Sequence, residues 1–322
     1  MTHVSREDDA ETALSPAGAQ PEIDVVVVSY NSRDHLRACV EQLAGAGGFT
    51  VIVVDNASTD GSVDALAGLP VTILALSSNG GFAHGCNVGW RRGRSPFVLF
   101  LNPDAAIDPA SVRRLAGVLE RDHRVSVAAP KIVNADGALD YSLRRFSRVR
   151  STFARALFLH RLFPRAAWAD EIVRHGEVYE SAGSADWVSG ACMLIRRSAL
   201  EQLDGFDEGF FMYCEDQDIC RRVWNAGEQV RYEPSATCIH EGGASAPRAA
   251  LLPTLARSRV RYATLHHGRL LATFERVGLA LEALIRVVVT PRGFAARSGH
   301  AHAIIGAAGY SARGSDEAAS RS

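Results

Sequence analysis

Two aspartates each follow a strand-like run of apolar residues. Asp55 ends the run Val51–Val54, and Asp104 stands shortly after the run Phe97–Leu101. Each run is long enough for one buried strand of a parallel sheet. In open α/β sheets the ligand crevice lies at the carboxyl ends of such strands. We therefore expect both carboxylates to face one crevice that can hold a nucleotide and its metal ion.

Another acidic feature is the pair Glu215-Asp216, which follows the aromatic stretch Phe210–Tyr213. A helix is predicted over about Asp216–Ala226, with its end at Gly227. At the start of a helix the backbone dipole favours an ionised carboxylate, which suits a general base. A solvated helix cap is the alternative for a bare acidic pair. The aromatic stretch favours the base, because an apolar wall can exclude water.

Strand-like and helix-like segments alternate through the first half of the chain. The strands predicted there are Asp24–Ser29, Val51–Val54, Val71–Leu76, Phe97–Leu101 and Val125–Ala129. A helix is predicted over Asp34–Ala44, and Asp108 followed by Pro109 marks the start of another. This alternation predicts an α/β fold, in which a mostly parallel sheet is covered by helices.

The second half is predicted to add fewer strands and more helix. The expected elements are a turn and strand over Asp186–Ile195, a short helix near Ser198–Leu203, the helix from Asp216, a strand at Val230–Tyr232 and helical structure beyond Pro253. We therefore expect one large α/β domain followed by a helical extension.

Composition excludes some classes of protein. The 322 residues are 47% hydrophobic and carry a net charge of −1, with a pI near 6.8. A general nucleic-acid binder needs a basic surface that displaces counterions, so we expect no nucleic-acid partner. The six cysteines form no C-x-x-C pair, which favours reduced thiols in a cytoplasmic protein. We expect neither a signal peptide nor a membrane-spanning stretch.

The segment between Tyr141 and Ala169 is basic and aromatic, with seven arginines and no acidic residue. Arginines attract anionic headgroups and aromatic rings enter the headgroup boundary, so one expectation is peripheral contact with an anionic membrane. The helical spacing of Phe153, Leu157 and Arg161 equally fits packing of this segment on the domain. The two interpretations predict different responses to salt.

Ordered motifs give the chain a family resemblance. The motifs Val27–Asn31, Val54–Ser62, Asn79–Asn87 and Leu101–Ala105 together resemble the nucleotide-sugar half of the family-two inverting glycosyltransferases of the GT-A fold. A second set, comprising Trp187–Arg197, Gly205–Glu208, Phe211–Arg221 and His240, resembles the bacterial rhamnosyltransferase and galactofuranosyltransferase branch. The resemblance covers about residues 23 to 245.

The resemblance implies where a nucleotide-sugar donor would bind. Its implied donor-binding residues are Ser29, Tyr30, Asn31, Asp55, Asn79, Gly81, Phe82, Asn87, Asn102 and Asp104. Tyr30 would stack on the base, and Asp55 would accept a hydrogen bond from a ring N–H. Taken alone, Asp55 equally fits a turn or a helix cap, and the glycine run around Gly81 fits a plain turn.

The resemblance also implies a divalent metal site for Mg²⁺ or Mn²⁺. Asp104 and His240 would be its protein ligands, and an imidazole ligand favours manganese. Many relatives carry an aspartate where this chain has Asn102, which supplies a carbonyl oxygen but no charge. Asn102 would either bind the metal directly through that oxygen or leave the ion to Asp104 and His240.

Roles on the acceptor side follow from the second set of motifs. By resemblance Asp216 is the general base and Glu215 the second candidate, while Asp218 would orient the site or pair with Arg221. Trp187, Ser189 and Gly190 would frame the acceptor, because sugars stack on aromatic faces; packing of Trp187 in the core is the alternative.

Three functions compete at this point. The main prediction is an inverting glycosyltransferase that moves a sugar onto a hydroxyl of a glycan or polyprenyl-linked acceptor in cell-envelope polysaccharide synthesis. The sugar that we expect is rhamnose, and the expected donor is dTDP-rhamnose. A sugar nucleotidyltransferase would need a glycine-rich, basic loop after the first strand, where this chain has Ser29–Asp34. An inactive nucleotide-sugar binding protein is disfavoured by Asp104, Asp216 and His240 together.

The predicted domain organisation has four parts. They are a disordered tail over residues 1–20, a glycosyltransferase domain over 21–250, a helical segment over 251–297 and a flexible tail over 298–322. The domain itself divides into a nucleotide-sugar half over 23–130, the basic aromatic insertion over 141–169 and an acceptor half over 186–245. We expect a location in the cytoplasm or at the inner face of the cell membrane.

Overall fold

The strands form one large sheet and one small one in a computed structural model that describes residues 22–242, 248–289 and 294–308. In chain order the strands are β1 (Ile23–Ser29), β2 (Phe49–Asp55), β3 (Thr72–Ala75), β4 (Phe97–Leu101), β5 (Ala105–Ile107), β6 (Val125–Val133), β7 (Leu143–Arg144), β8 (Gly183–Ser184), β9 (Trp187–Val188), β10 (Cys192–Arg196) and β11 (Gln229–His240). The predicted tail over residues 1–20 lies outside the described residues.

The helices cover both faces of the sheet and extend it at the C-terminal side. They are α1 (Arg33–Ala44), α2 (Phe82–Arg92), α3 (Pro109–Arg121), α4 (Val149–Ala156), α5 (Leu159–Leu162), α6 (Arg197–Gln202), α7 (Glu215–Asn225), α8 (Arg248–His267), α9 (Arg269–Val289) and α10 (Phe294–Ala308). Within the described residues, no helix combines the length and the apolar character needed to cross a membrane.

The sheet is mixed, and its order brings the predicted site residues to one edge. The strand order is β3-β2-β1-β4-β10-β6-β11-β5, with β8 beside β11, while β7 and β9 form the small sheet. Strands β1 to β4 are parallel, and β10 runs antiparallel between β4 and β6. The carboxyl ends of β1, β2 and β4 therefore share an edge with the amino end of β10. Ser29 is level with Asp55 there, and Cys192 is level with Leu101.

Burial on both faces explains the continuous apolar runs. Val25 and Val27 of β1 pack in the core beneath α1 and α3, whereas Val26 and Val28 pack beneath α2 and α7. A strand that alternates between two covered faces must be apolar at every position. The predicted start of α3 is confirmed, because the Asp108 carboxylate accepts a hydrogen bond from the backbone N–H of Ser111 at 2.9 Å.

The last strand is much longer than its predicted core. The prediction covered Val230–Tyr232, whereas β11 extends to His240. Glu233, Pro234 and Ser235 interrupt the strand pattern, and a shift in the pairing between β6 and β11 accommodates them between Glu233 and Thr237. This extension carries His240 to the site edge, where it pairs with Ala105 of β5.

Residues 298–308 correct the prediction of a flexible tail over 298–322. They belong to α10, which packs on α8 and α9. Small residues allow close helix contact: a Cβ on Gly306 would lie 2.6 Å from the carbonyl oxygen of Pro253, and Ala303 and Ala307 are buried. A run of alanine and glycine therefore marks a helix interface here. Residues 309–322 lie outside the described residues.

A buried ion cluster joins α4, α8 and α9. The guanidinium of Arg259 contacts Glu171 at 2.6 Å and Glu275 at 2.9 Å, and Thr152 donates to Glu275 at 2.6 Å. Burial would raise the pKa of Glu171, but the charge and hydrogen bonds of Arg259 outweigh it and hold that pKa at about 2. The basic aromatic segment is thus packed on the C-terminal helices at Thr152.

We expect replacement of Arg259 by methionine to destabilise the protein strongly. Two buried carboxylates would lose their partner, at a cost of about 3–5 kcal/mol. Urea unfolding at neutral pH should show a lower midpoint than the parent, whereas Arg257→Met, an exposed position on the same helix, should not. The difference in midpoint between the parent and Arg259→Met should shrink as pH falls from 4.5 toward 2, because Glu171 then becomes protonated in the folded as well as in the unfolded protein. Equal midpoints for both variants at neutral pH would contradict this result.

Candidate active site

The ends of β1 and β2 carry two buried polar atoms that face the site edge. Ser29 Oγ and Asp55 Oδ1 are buried, and neither has a hydrogen-bond partner among the described residues. The other carboxylate oxygen of Asp55 accepts from the backbone N–H of Ser58 at 3.1 Å. Tyr30, the next residue after β1, is 41% exposed. Buried polar groups require a partner, so this edge is equipped to receive one from a ligand.

Asn31 and Asn79 both hold the backbone of the loops around this edge. The amide oxygen of Asn31 accepts from the N–H of Thr59 at 2.9 Å, and its own N–H donates to Ser58 Oγ at 2.9 Å. The amide oxygen of Asn79 accepts from the N–H of Gly81 at 2.9 Å. The two asparagines therefore shape the predicted donor site through their loops.

Gly81 is required by a contact within the protein. Its φ of 92° is a left-handed conformation, and a Cβ there would overlap the carbonyl oxygen of Phe211. The N–H of Phe82 donates to that same carbonyl at 2.7 Å, and the Asn56 side chain donates to the Gly81 carbonyl at 3.0 Å. The glycine loop is thereby fixed to both β2 and the loop that precedes α7.

Asn102, Asp104 and His240 come together beyond β4 and β11. His240 Nε2 lies 3.3 Å from Asp104 Oδ1 and 3.4 Å from Asn102 Nδ2. Two ligand atoms held side by side about 2.1 Å from one divalent ion lie about 3 Å apart, so this spacing fits a shared ion. Among the described residues, no group of three His, Cys, Asp or Glu side chains fits a metal site. A third protein ligand here would have to come from Asn102.

Asp216 lies at the first turn of α7, next to the chain that enters β10. Its Oδ2 accepts from the N–H of Gly190 at 3.0 Å, and its Oδ1 accepts from the N–H of Gln217 at 2.8 Å. Tyr213 and Cys214 precede the helix with φ of 69° and 66°, left-handed conformations that cost energy for residues with a side chain. The turn therefore directs Asp216 toward the sheet edge.

Burial raises the pKa of both members of the acidic pair, Glu215 and Asp216. Burial raises the pKa of Asp216, opposed by the N–H groups of Gly190 and Gln217. Burial, and then the charge of Asp216, raises the pKa of Glu215 well above its ordinary value. The second oxygen of Glu215 is buried without a hydrogen-bond partner among the described residues. Burial therefore favours the protonated form of Glu215 more strongly than that of Asp216, whose carboxylate is stabilised by two backbone N–H groups.

Two hydrogen bonds connect the base to the three-residue cluster. The N–H of Asn102 donates to the carbonyl of Ala191 at 2.9 Å, and the adjacent Gly190 donates to Asp216. Strand pairing between β4 and β10 fixes both segments. The sheet thus holds a candidate metal site and a candidate base at neighbouring strand ends.

The sequence matches a known protein family. Residues 24–204, more than half of the chain, match the profile of "Glycosyl transferase family 2". The chain belongs to glycosyl transferase family 2. The predictions of a glycosyltransferase and of its family are thereby confirmed.

Relatives of this family-2 glycosyltransferase include named rhamnosyltransferases. It is 32% identical over 241 residues to the N-acetylglucosaminyl-diphospho-decaprenol L-rhamnosyltransferase of Mycobacterium tuberculosis, covering 70% of this chain and 78% of that protein. It is 28% identical to the rhamnosyltransferase WbbL of Escherichia coli, covering 67% of this chain and 82% of that one. These similarities support the rhamnosyltransferase branch.

Solved structures confirm the expected fold. The mannosyltransferase PcManGT from Pyrobaculum calidifontis, solved with GDP-Man and Mn²⁺, superimposes with a TM-score of 0.55 at 16% identity, covering 90% of this chain and 87% of that one. Staphylococcus aureus TarS 1-349 with UDP-GlcNAc gives a TM-score of 0.51 at 18% identity, covering 83% and 73%. The glycosyltransferase has the GT-A architecture, an α/β fold.

Asn87, one of the predicted donor-binding residues, forms its hydrogen bonds within the glycosyltransferase. It is buried, and its amide group donates to the Phe206 carbonyl and to Glu208, both at 2.8 Å. Its oxygen accepts from the Trp90 indole at 3.0 Å and from the N–H of Phe206 at 2.9 Å. Every hydrogen-bonding position is filled, so Asn87 supports the loop at Phe206 and has no capacity left for a donor.

Asp218 pairs differently from the prediction, which named Arg221. Its carboxylate contacts Arg222 at 2.7 Å and His266 of α8 at 2.7 Å. One helical turn separates Asp218 from Arg222, so their side chains share a face of α7. The guanidinium of Arg221 instead lies over the ring of Phe146 at 4.8 Å.

The acceptor-side residues are held by backbone groups and by an arginine absent from the predicted set. The Trp187 indole donates to the Arg145 carbonyl at 2.9 Å, and Arg144 lies over its ring at 5.5 Å. The hydroxyl of Ser189 accepts from the N–H of Ala191 at 3.3 Å. Arg144 also lowers the pKa of Asp216, against the larger effect of burial. Only its place in an arginine-rich stretch signalled it in the sequence.

Proposed function

We propose that this glycosyltransferase moves rhamnose from dTDP-rhamnose onto a hydroxyl group of a glycan or polyprenyl-linked acceptor. The transfer inverts the configuration at the anomeric carbon. The observation that carries the proposal is the half-buried Asp216, joined through Gly190, Ala191 and Asn102 to the cluster with Asp104 and His240. A base and a site for the leaving diphosphate lie at adjacent strand ends.

Asp216 acts on the acceptor in the proposed reaction. The acceptor oxygen forms a bond to the anomeric carbon, the bond from that carbon to the diphosphate oxygen breaks, and Asp216 takes the hydroxyl proton. Its backbone partners orient the carboxylate. Asn102, Asp104 and His240 would hold a divalent ion, which neutralises charge on the leaving diphosphate when bound.

The donor end of the proposal rests on Ser29, Tyr30 and Asp55. The unsatisfied Asp55 oxygen can accept a hydrogen bond from the ring N–H of thymine or uracil, and the half-exposed Tyr30 ring offers a stacking surface. The two relatives named above are rhamnosyltransferases, which favours a rhamnose donor. A polyprenyl-linked acceptor agrees with the decaprenol in the name of the mycobacterial relative and with a location at the cytoplasmic face of the membrane.

Product analysis with a panel of nucleotide sugars tests the proposal. We expect dTDP-rhamnose to give the fastest release of nucleoside diphosphate in the presence of a polyprenyl-diphosphate N-acetylglucosamine acceptor. Ligands that bind only the folded protein raise its unfolding temperature, so dTDP should protect the parent more than Asp55→Ala. Release of pyrophosphate would support a nucleotidyltransferase, and absence of turnover with every donor would support an inactive binding protein.

A further inference from the structure

Helix α9 exposes a continuous apolar stripe. Its members recur every three or four residues, which places them on one face of the helix. They are the exposed Leu270, Phe274, Val277, Leu284 and Val288, with the partly exposed Leu281 among them. Leu270 is 72% exposed and Val288 is 74% exposed, although both are large aliphatic side chains. The stripe therefore extends along almost the whole helix.

The opposite face of α9 is already packed. Ala272, Glu275, Gly278 and Ala283 are buried, and a Cβ on Gly278 would lie 3.0 Å from the Thr152 side chain of α4. Helix α9 thus meets α4, α8 and α10 mainly through small residues and the ion-paired Glu275, with Leu279 partly buried beside them. Core packing within the described residues does not account for the stripe.

A second exposed apolar group adjoins the stripe at the tip of the basic aromatic segment. Its members are Leu157, Leu162, Phe163 and Trp168. The guanidinium of Arg286 on α9 lies over the Phe158 ring at 5.4 Å, and Arg155 approaches Glu282 at 3.7 Å, so the tip and the C-terminal half of α9 are neighbours. We call the stripe together with this tip the apolar face.

The elements that form the apolar face are strongly basic. Residues 141–169 contain seven arginines and no acidic residue, and residues 248–308 contain nine arginines and two glutamates, in a chain whose net charge is −1. Glu275 is paired with Arg259, and Glu282 with Arg286. Arg150, Arg161, Arg165 and Arg269 are exposed. The face therefore combines apolar side chains with positive charge.

We propose that the apolar face docks on the surface of a bilayer that contains anionic phospholipid. Large side chains on one face of a helix, flanked by arginines, enter the boundary between headgroups and acyl chains. Anionic headgroups supply the opposite charge. A second copy of the chain fits less well, because a twofold interface would bring the same arginines of both copies together. The proposal rests on this face alone and is independent of the sugar and the acceptor.

Helix α8 connects the apolar face to the catalytic loop. Helix α8 packs between the apolar face and the loop that precedes α7, and Ser258 donates to the carbonyl of Met212 at 2.7 Å. Met212 directly precedes Tyr213, the first residue of the turn that directs Asp216. The apolar face and the catalytic loop thus belong to one packed unit.

Co-sedimentation of the whole protein with vesicles tests the proposal. We expect the parent to bind phosphatidylcholine vesicles containing phosphatidylglycerol, with binding at least about tenfold weaker on pure phosphatidylcholine and at about 0.5 M salt. No binding by the parent at low salt would overturn the proposal. Equal binding to both kinds of vesicle would overturn the role of the arginines.

Two variants separate the apolar and the charged contributions. Replacement of Leu270, Phe274, Leu284 and Val288 by serine, or of Arg150, Arg161, Arg165 and Arg269 by serine, should each reduce vesicle binding at least about tenfold. Matched controls with Ile73 and Val178, or Arg92 and Arg94, replaced by serine remove exposed residues outside the face and should bind like the parent. Unchanged unfolding temperatures show that the variants fold.

Solution mass distinguishes a second copy from a lipid surface. Light scattering during size-exclusion chromatography should show the same mass for the parent and the variant with the stripe replaced. A parent dimer that becomes monomeric in that variant, with vesicle binding absent, would assign the face to self-association. Loss of donor turnover in water, with vesicle binding intact, would contradict the proposed function and leave the docking surface standing.

Discussion

Replacement of Asp216 by asparagine will reduce turnover by about 10²- to 10⁴-fold, with donor binding nearly unchanged. Asparagine preserves the size of the side chain but cannot take a proton from the acceptor hydroxyl. The donor-side residues Tyr30 and Asp55 lie at the ends of β1 and β2, outside α7, and keep their contacts. Steady-state kinetics at saturating acceptor, together with titration of the nucleotide, separates these effects.

Glu215→Gln is the matched control for that variant. Burial and the charge of Asp216 raise the pKa of Glu215 well above its ordinary value, so the neutral amide of glutamine resembles the form of Glu215 that burial favours. We expect turnover to fall less than tenfold. Large loss in Glu215→Gln with activity retained in Asp216→Asn would move the base to Glu215.

The pH profile offers a second measurement on the same residue. Burial raises the pKa of Asp216, so its ionised form, which accepts the proton, is lost at a higher pH than for a surface aspartate. Turnover should therefore decline as pH falls through that raised pKa. In Arg144→Gln the decline should begin at a still higher pH, because Arg144 favours the ionised form.

Sequence patterns predicted the parts of the site that are local or that follow from strand direction. The run before Asp55 and the cap at Asp108 are set by a few neighbouring residues, and both elements form as expected. The meeting of Asp104 with His240 follows the family resemblance. Strand ends in a parallel sheet share an edge, so the placement of Asp55 needed only the order of the strands.

Partners distant in sequence were not predictable in the same way. Gly81 needs its glycine because Phe211 lies against it, and Asn87 is saturated by residues near Phe206. Nothing in either motif distinguishes such an internal partner from a ligand. The pairing of Asp218 with His266 likewise depends on how α8 packs against α7. Helix packing is set by tertiary contacts that periodicity does not encode.

The second large effect concerns the cluster of Asn102, Asp104 and His240. We expect exhaustive chelation to abolish transfer and Mg²⁺ or Mn²⁺ to restore it, because a leaving diphosphate needs its charge neutralised. Asp104→Ala should require at least about tenfold more metal for half-maximal activity, because the cluster of Asn102, Asp104 and His240 loses its carboxylate. Asp136→Asn, an exposed carboxylate elsewhere, should behave like the parent. Full activity after chelation would contradict the metal site.

Asn102→Asp should act in the opposite direction. Asn102 lies 3.4 Å from His240 and offers a neutral amide, so aspartate would add a charge beside Asp104 without changing the size of the side chain. We expect half-maximal activity at about tenfold lower metal concentration, because two carboxylates attract a divalent ion more strongly than one. Metal-dependent thermal protection in the presence of dTDP gives a measurement that does not depend on turnover. If the metal dependence of both measurements is unchanged in Asn102→Asp, Asn102 lies outside the coordination sphere, and Asp104 and His240 remain as the protein ligands to test.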